Sequence, residues 1–160
     1  MAVEEGRYIH RRVLESLSAQ NCPIKLWVTT QDDGFHAAGA RNRVKQHASS
    51  PYVLMMDNDI ILEPHSIERM VAFLEANNNF AAIGISKHSV PEGSNEVFIQ
   101  PHIDCAPVLW RLEDLKKVAF EYRNQCECMA VCEDIRNMGK EIGFLTGIRA
   151  NHIPDTRAVQ

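Results

Sequence analysis

Short apolar runs alternate with segments of helical periodicity along most of this chain, and that alternation restricts the fold more than any other feature. Residues 24–29, 52–56, 81–86 and 142–146 are compact, rich in branched and apolar side chains, and read as strands. Between them lie helical segments. Ile9, Val13 and Leu17 recur at helical spacing, which predicts a helix over about 7–19, ended by Asn21-Cys22-Pro23. Residues 40–48 predict a short helix, broken by Ser49-Ser50-Pro51. Pro64 suits the first turn of another, whose stripe is Ile67, Met70, Val71 and Leu74 and whose end is Asn77-Asn78-Asn79. Residues 112–122 and 128–138 predict the last helices, with Gly139 in the left-handed position that closes one. Val108-Leu109-Trp110 is a candidate strand, and 87–105 reads as a long irregular loop. Strands alternating with helices predict an α/β layered sheet, and residues 1–160 form a single domain.

At the end of one strand stands Asp57-Asn58-Asp59, after Tyr52-Val53-Leu54-Met55-Met56 and before Ile60-Ile61-Leu62-Glu63-Pro64. Ligands of open α/β sheets gather at the carboxyl ends of strands. Acids two residues apart suit a hard divalent cation, which takes oxygen ligands and shares them with a diphosphate. An isolated pair of this kind is common, so its flanks carry the meaning.

The formal net charge of −4 gives no basic footprint for nucleic acid. No apolar run approaches a membrane span, and Met1-Ala2-Val3-Glu4-Glu5-Gly6-Arg7 lacks the apolar core of a signal peptide. Five cysteines, an odd number, then point to reduced thiols and a cytoplasmic protein.

The order of several segments resembles the inverting GT-A glycosyltransferases, glycosyltransferase family 2-like members of the nucleotide-diphospho-sugar transferase superfamily. Leu14-Glu15-Ser16-Leu17-Ser18-Ala19-Gln20 is similar to the family's "leSL.aQ" helix. Asp32-Asp33-Gly34 resembles its "DDGS" turn, and Gly39-Ala40-Arg41-Asn42 its "G..ARN" segment. Residues 52–59 resemble "yvlflDsD", and 106–115 the acceptor-side "lfrr..l". Gly139 followed by His152 resembles "G..i.......vvyH". The resemblance covers roughly residues 13–152. It implies a three-layer α/β/α domain with a mostly parallel sheet. The implied activity is metal-dependent transfer of a sugar, with inversion, from a UDP- or GDP-sugar to a carbohydrate or other hydroxyl acceptor.

That chemistry assigns roles. A departing nucleoside diphosphate needs its charge neutralised, so Asp57 and Asp59 are the candidates to hold Mn²⁺ or Mg²⁺, with Asp59 touching it more directly. His152 is a candidate third ligand. Asp32 and Asp33 resemble the pair that contacts nucleotide base and ribose. Arg41 and Asn42 start a helix, where a guanidinium suits either a phosphate or a structural carboxylate. The attacking hydroxyl needs a base. The family's spacing back from Gly139 puts its two acids on Glu127 and Cys128, so Glu127 is favoured and Asp134, in the literal pair Glu133-Asp134, is the alternative. Each of these residues also has a plain reading as a turn, cap or solvated face. Cys126, Cys128 and Cys132 match none of the usual zinc spacings and read as small core residues. His88 and His102 receive no role.

The chain departs from the family in four places, one of them a shortened segment between Asp32-Asp33-Gly34 and Ala40-Arg41-Asn42. Thr29-Thr30-Gln31 precedes the acids where the family is usually apolar. Cysteine stands at 128 in place of the usual base. The family's opening strand, of the type "vsviiPtyn", has no counterpart, because Glu4-Glu5-Gly6 is not a core sequence. A sheet lacking that strand exposes an unpaired edge, which a homodimer or another partner would cover. The alternative reading is a non-catalytic GT-A-like module, a fragment or reduced family member that binds a nucleotide, a sugar or a protein. A nucleotidyltransferase on the related fold is disfavoured, since no glycine- and basic-rich phosphate loop opens the chain.

Overall fold

The structure, a computed structural model, describes residues 2–4, 9–31, 37–85, 97–104, 107–121 and 126–153. The helices are α1 (Arg11–Ser18), α2 (Ala37–His47), α3 (Ser66–Ala76), α4 (Leu112–Leu115) and α5 (Glu127–Asn137). The strands are β1 (Ala2–Glu4), β2 (Thr29–Gln31), β3 (Tyr52–Met55), β4 (Ile60–Leu62), β5 (Phe80–Ile85), β6 (Val97–Ile99), β7 (Val108–Arg111), β8 (Glu141–Leu145) and β9 (Ala150–His152). Among the described residues no helix is long and apolar enough to cross a membrane.

Five strands form the central sheet, in the order β3-β7-β5-β8-β6. The expectation of a mostly parallel sheet is corrected: only β5 and β8 run parallel in it, and the other neighbours are antiparallel. The cause lies where β7 begins. Ile85, at the end of β5, donates its N–H to Pro107 O at 3.1 Å, so β7 starts beside the end of β5 and runs back along it. A parallel neighbour would need a crossover spanning the length of the sheet.

Alternating side chains of the sheet feed two cores. Val53 and Met55 of β3 and Val108 and Trp110 of β7 pack with α2, α4 and α5 on one face. Leu109 of β7 and Ile83 and Ile85 of β5 pack with α1 and α3 on the other. Helices on both faces of one sheet make the expected three layers.

Buried polar groups explain the spacing within α1. Gln20 Nε2 donates to Ser16 O and Glu63 O, both at 2.9 Å, while its Oε1 accepts from Ile67 N at 3.1 Å. Ser16 Oγ accepts from Leu62 N at 3.3 Å. These bonds tie α1 and the residue Gln20 after it to β4 and the start of α3, the segments that follow Asp59 in the chain.

Three helix and strand expectations also change. The helix expected over 112–122 stops at Leu115. Asn42 holds the backbone of Phe120 at both its groups, donating to its carbonyl at 2.9 Å and accepting from its N–H at 3.0 Å, which helical bonding would claim. The strand expected over 24–29 begins only at Thr29; residues 23–28 join no sheet. Strand-forming side chains do not make a strand without a neighbour to bond, and Ile24, Leu26 and Val28 are exposed. A cavity of about 340 Å³ lies between this stretch and β3, lined by Ile24 and Trp27, by Tyr52 and Leu54, and by Leu17 and Leu109. The chain's first residues, expected to form no strand, do supply β1, which pairs parallel with β2 from Ala2↔Thr29 to Glu4↔Gln31.

Candidate functional site

β3 delivers the chain to the turn Asp57-Asn58-Asp59, and β4 carries it away. The turn is tied from outside: Asn58 O accepts from His10 N at 3.4 Å, and Asp59 O from Ile153 N at 2.8 Å. Its two carboxylates go to different neighbours.

Asp59 faces β9. The β4–β9 ribbon is antiparallel and sets Ile60 opposite His152. His152 Nε2 thereby comes to 3.1 Å from Asp59 Oδ2. The other oxygen, Oδ1, is buried and accepts no hydrogen bond from the described residues. A buried acceptor without a donor is costly and uncommon, and it leaves this oxygen available to a ligand. A carboxylate oxygen and an imidazole nitrogen are both acceptable to Mn²⁺. Neighbouring ligands in an octahedral shell lie roughly 3 Å apart, as this pair does. Asp59 and His152 fit a divalent cation.

Asp57 faces the other way. Its Oδ1 lies 3.6 Å from Arg41 Nη2, and Arg41 Nη1 donates to Glu127 Oε1. The guanidinium, only 11% exposed, joins the first turn of α5 to the aspartate turn. Of the uses foreseen for Arg41, the structure displays the carboxylate pairing. Asn42 spends its side chain on Phe120. Its neighbour Lys45 donates to Val118 O, and burial lowers its pKa.

Glu127 is thus brought to Arg41 and Asp57. Asp134 is half-buried farther along α5, seven residues and therefore about 10 Å from Glu127 along the helix axis. Asp32 and Asp33 lie outside the described residues, as does His88.

The cysteines require a correction. Cys128 and Cys132 are buried as expected, but Cys126 is only half-buried, and Cys126 and Cys128 are joined by a disulfide instead of remaining reduced. Cys126 precedes α5 in an extended conformation, φ −148° and ψ 129°, which leaves the two Cα atoms 5.4 Å apart, inside the range a bridge accepts. Burial raises the Cys132 thiol pKa to about 11, so it stays protonated and inert. Sequence reasoning missed His102, whose Nε2 lies 3.7 Å from Cys126 Sγ. No spacing rule links residues so far apart in the chain.

No curated protein matches the chain in sequence. Solved structures do match in fold. Residues 1–349 of S. aureus TarS, in complex with UDP-GlcNAc, superpose with a TM-score of 0.65 at 14% identity, covering 99% of this chain and 60% of that one. The mannosyltransferase PcManGT from Pyrobaculum calidifontis, in complex with GDP-Man and Mn²⁺, gives 0.71 at 13% identity, covering 97% and 56%. The chain therefore spans under two thirds of the length of these structures. At such identities the likeness establishes the α/β GT-A-like fold. The sequence itself goes further: residues 10–132 match the family model for glycosyl transferase family 2, and the chain belongs to that family.

Proposed function

We propose that this chain transfers a sugar, with inversion, from a nucleoside-diphosphate sugar to a hydroxyl acceptor in a metal-dependent reaction. The observation that carries the reading is Asp59, beside His152 and with a buried oxygen that accepts no hydrogen bond from the described residues. Asp59 and His152 would hold Mn²⁺ or Mg²⁺. When bound, the cation supplies Lewis-acid neutralisation of the departing diphosphate. UDP-GlcNAc in TarS and GDP-Man with Mn²⁺ in PcManGT support a UDP- or GDP-sugar as donor. Asp32 and Asp33 are proposed to grip its base and ribose.

Glu127 is the proposed base. Arg41 holds its Oε1 and so fixes the carboxylate's orientation, leaving Oε2 to take the acceptor's proton. Glu127→Gln keeps an acceptor for Arg41 and removes the basic charge. Transfer from a UDP- or GDP-sugar is expected to fall by roughly 10² or more, with nucleotide affinity nearly unchanged. A fully active variant removes Glu127 from the role and moves the test to Asp134→Asn.

A non-catalytic nucleotide- or sugar-binding module is the second reading. It is favoured by the Arg41–Glu127 ion pair and by Cys128, bonded to Cys126, at the place of the family's usual acid. Unmodified protein that binds UDP or GDP with Mn²⁺, yet neither transfers nor hydrolyses a donor sugar, decides for the module. The anomeric configuration of the first product, read by NMR, tests inversion.

A further inference from the structure

We propose that His102, Cys126 and Cys128 form a second metal site, which takes a thiophilic divalent cation of the Zn²⁺ type when the Cys126–Cys128 disulfide is reduced. The three side chains offer one nitrogen and two sulfurs, all within 4.8 Å of one another. Zn²⁺ binds thiolate at about 2.3 Å and imidazole at about 2.0–2.1 Å, so tetrahedral neighbours of these kinds stand about 3.5 Å apart. His102 Nε2 and Cys126 Sγ are 3.7 Å apart.

Each ligand is delivered by its own piece of the fold. His102 follows β6, whose pairing with β8 is extended by Gln100 N donating to Ile142 O at 3.1 Å. The next residue, Ile103, is fully buried, and its carbonyl lies 3.8 Å from the Cys132 thiol, which can donate to it. Cys126 caps the N-terminus of α5 and Cys128 lies in its first turn. The partial positive charge there favours thiolates. Cys128 is buried, whereas His102 and Cys126 are half-buried, so the cluster has an open side. Three protein ligands with a remaining position for water or another small donor form an open zinc-type set.

Donor chemistry separates this site from Asp59–His152. Thiolates select Zn²⁺ and other soft ions, while Mn²⁺ and Mg²⁺ prefer oxygen. Glu127, the residue that Arg41 holds, lies between the two cysteines in sequence.

The exchange between states balances. Two thiol molecules supply two electrons and two protons: the Cys126–Cys128 bond breaks, both sulfurs become thiols, and the donors leave joined as one disulfide. The cation then replaces both cysteine protons, which pass to solvent, and His102 binds through its unprotonated Nε2.

The full chain, reduced with a phosphine and kept free of oxygen, would be titrated with Co²⁺ as a visible stand-in for Zn²⁺. The expected result is a sulfur-to-cobalt charge-transfer band with tetrahedral visible bands, all abolished by one equivalent of Zn²⁺. The oxidised protein should show neither. His102→Ala and Cys126→Ser alter half-buried positions and should retain the fold, checked by circular dichroism. Each should weaken binding by roughly 10² or more, beyond the 10–100-fold typical of losing a partner outside the ligands. Asp59→Asn and Cys132→Ser should leave the spectrum unchanged. Absence of the charge-transfer band in reduced, folded protein overturns the proposal, as does an undiminished band in Cys126→Ser.

Discussion

Asp59→Asn is expected to weaken Mn²⁺ binding in the presence of UDP or GDP by roughly 10²-fold or more, beyond the 10–100-fold typical of losing a partner outside the ligands. The substitution preserves volume and leaves one neutral oxygen beside His152 in place of a charged pair. Asp57→Asn should cost less, because Arg41 retains Glu127 as a partner when the Asp57 charge is gone. Calorimetry with and without the nucleotide measures both variants. The cation should bind weakly alone and more tightly with the nucleotide, whose phosphate oxygens complete its shell. Equal affinities for Asp59→Asn and the unmodified protein would show that Asp59 is not a ligand. A larger loss for Asp57→Asn would reverse the order of the two acids.

Trp110→Ala should have the largest effect on stability. The indole is fully buried at the centre of β7 and meets the Phe120 ring edge-on, with centroids 5.9 Å apart. It packs in the core that α2, α4 and α5 share. Removing a buried aromatic costs about 3–5 kcal/mol, because the cavity closes only in part. For a chain of 160 residues that is a fall in melting temperature on the order of 10 °C. Trp110→Phe should cost far less. It keeps an aromatic ring and removes Nε1, a buried donor without a hydrogen-bond partner among the described residues. Denaturant unfolding of the two variants separates them. Similar losses for both would mean that the shape of the indole outweighs the aromatic contact and its unbonded N–H.

Features set by nearby residues were the legible ones. Gly139 adopts φ +75° after α5, as a glycine at that spacing predicts. The apolar stripe Ile67, Met70 and Leu74 is buried on α3. β3, β5 and β8 fall within about a residue of their predicted ranges, since continuous apolar runs identify strands buried on both faces. Strand direction is not written in such a run, and the antiparallel course of β7 depends on where its chain re-enters the sheet. The stop of α4 at Leu115 depends on Asn42, far away in sequence. β6 and β9 have three residues each and too little periodicity to read.

The candidate site divides in the same way. The aspartates stood out because a motif and a strand end coincide. His152 was placed by a family spacing, while the ribbon that actually brings it to Asp59 was invisible. Arg41 was recognised as a cation near a helix start, but the carboxylates it meets come from different segments. His102 follows β6 and Cys126 precedes α5, and no local pattern announces that these two segments meet.

The aspartate turn is attached to an edge strand of the central sheet. β3 bonds to β7 on one side and borders the cavity on the other, while β5 is bonded on both sides. Edge backbone opens with less free energy than the centre of a sheet, so β3 opens more readily than β5. A ligand that binds only the closed form adds its own term to that local opening energy, about 2.7 kcal/mol at a hundredfold excess over its dissociation constant. Occupancy at Asp59 and the folding of the sheet margin are then one coupled equilibrium: whatever fastens the acids also fastens the strand that carries them.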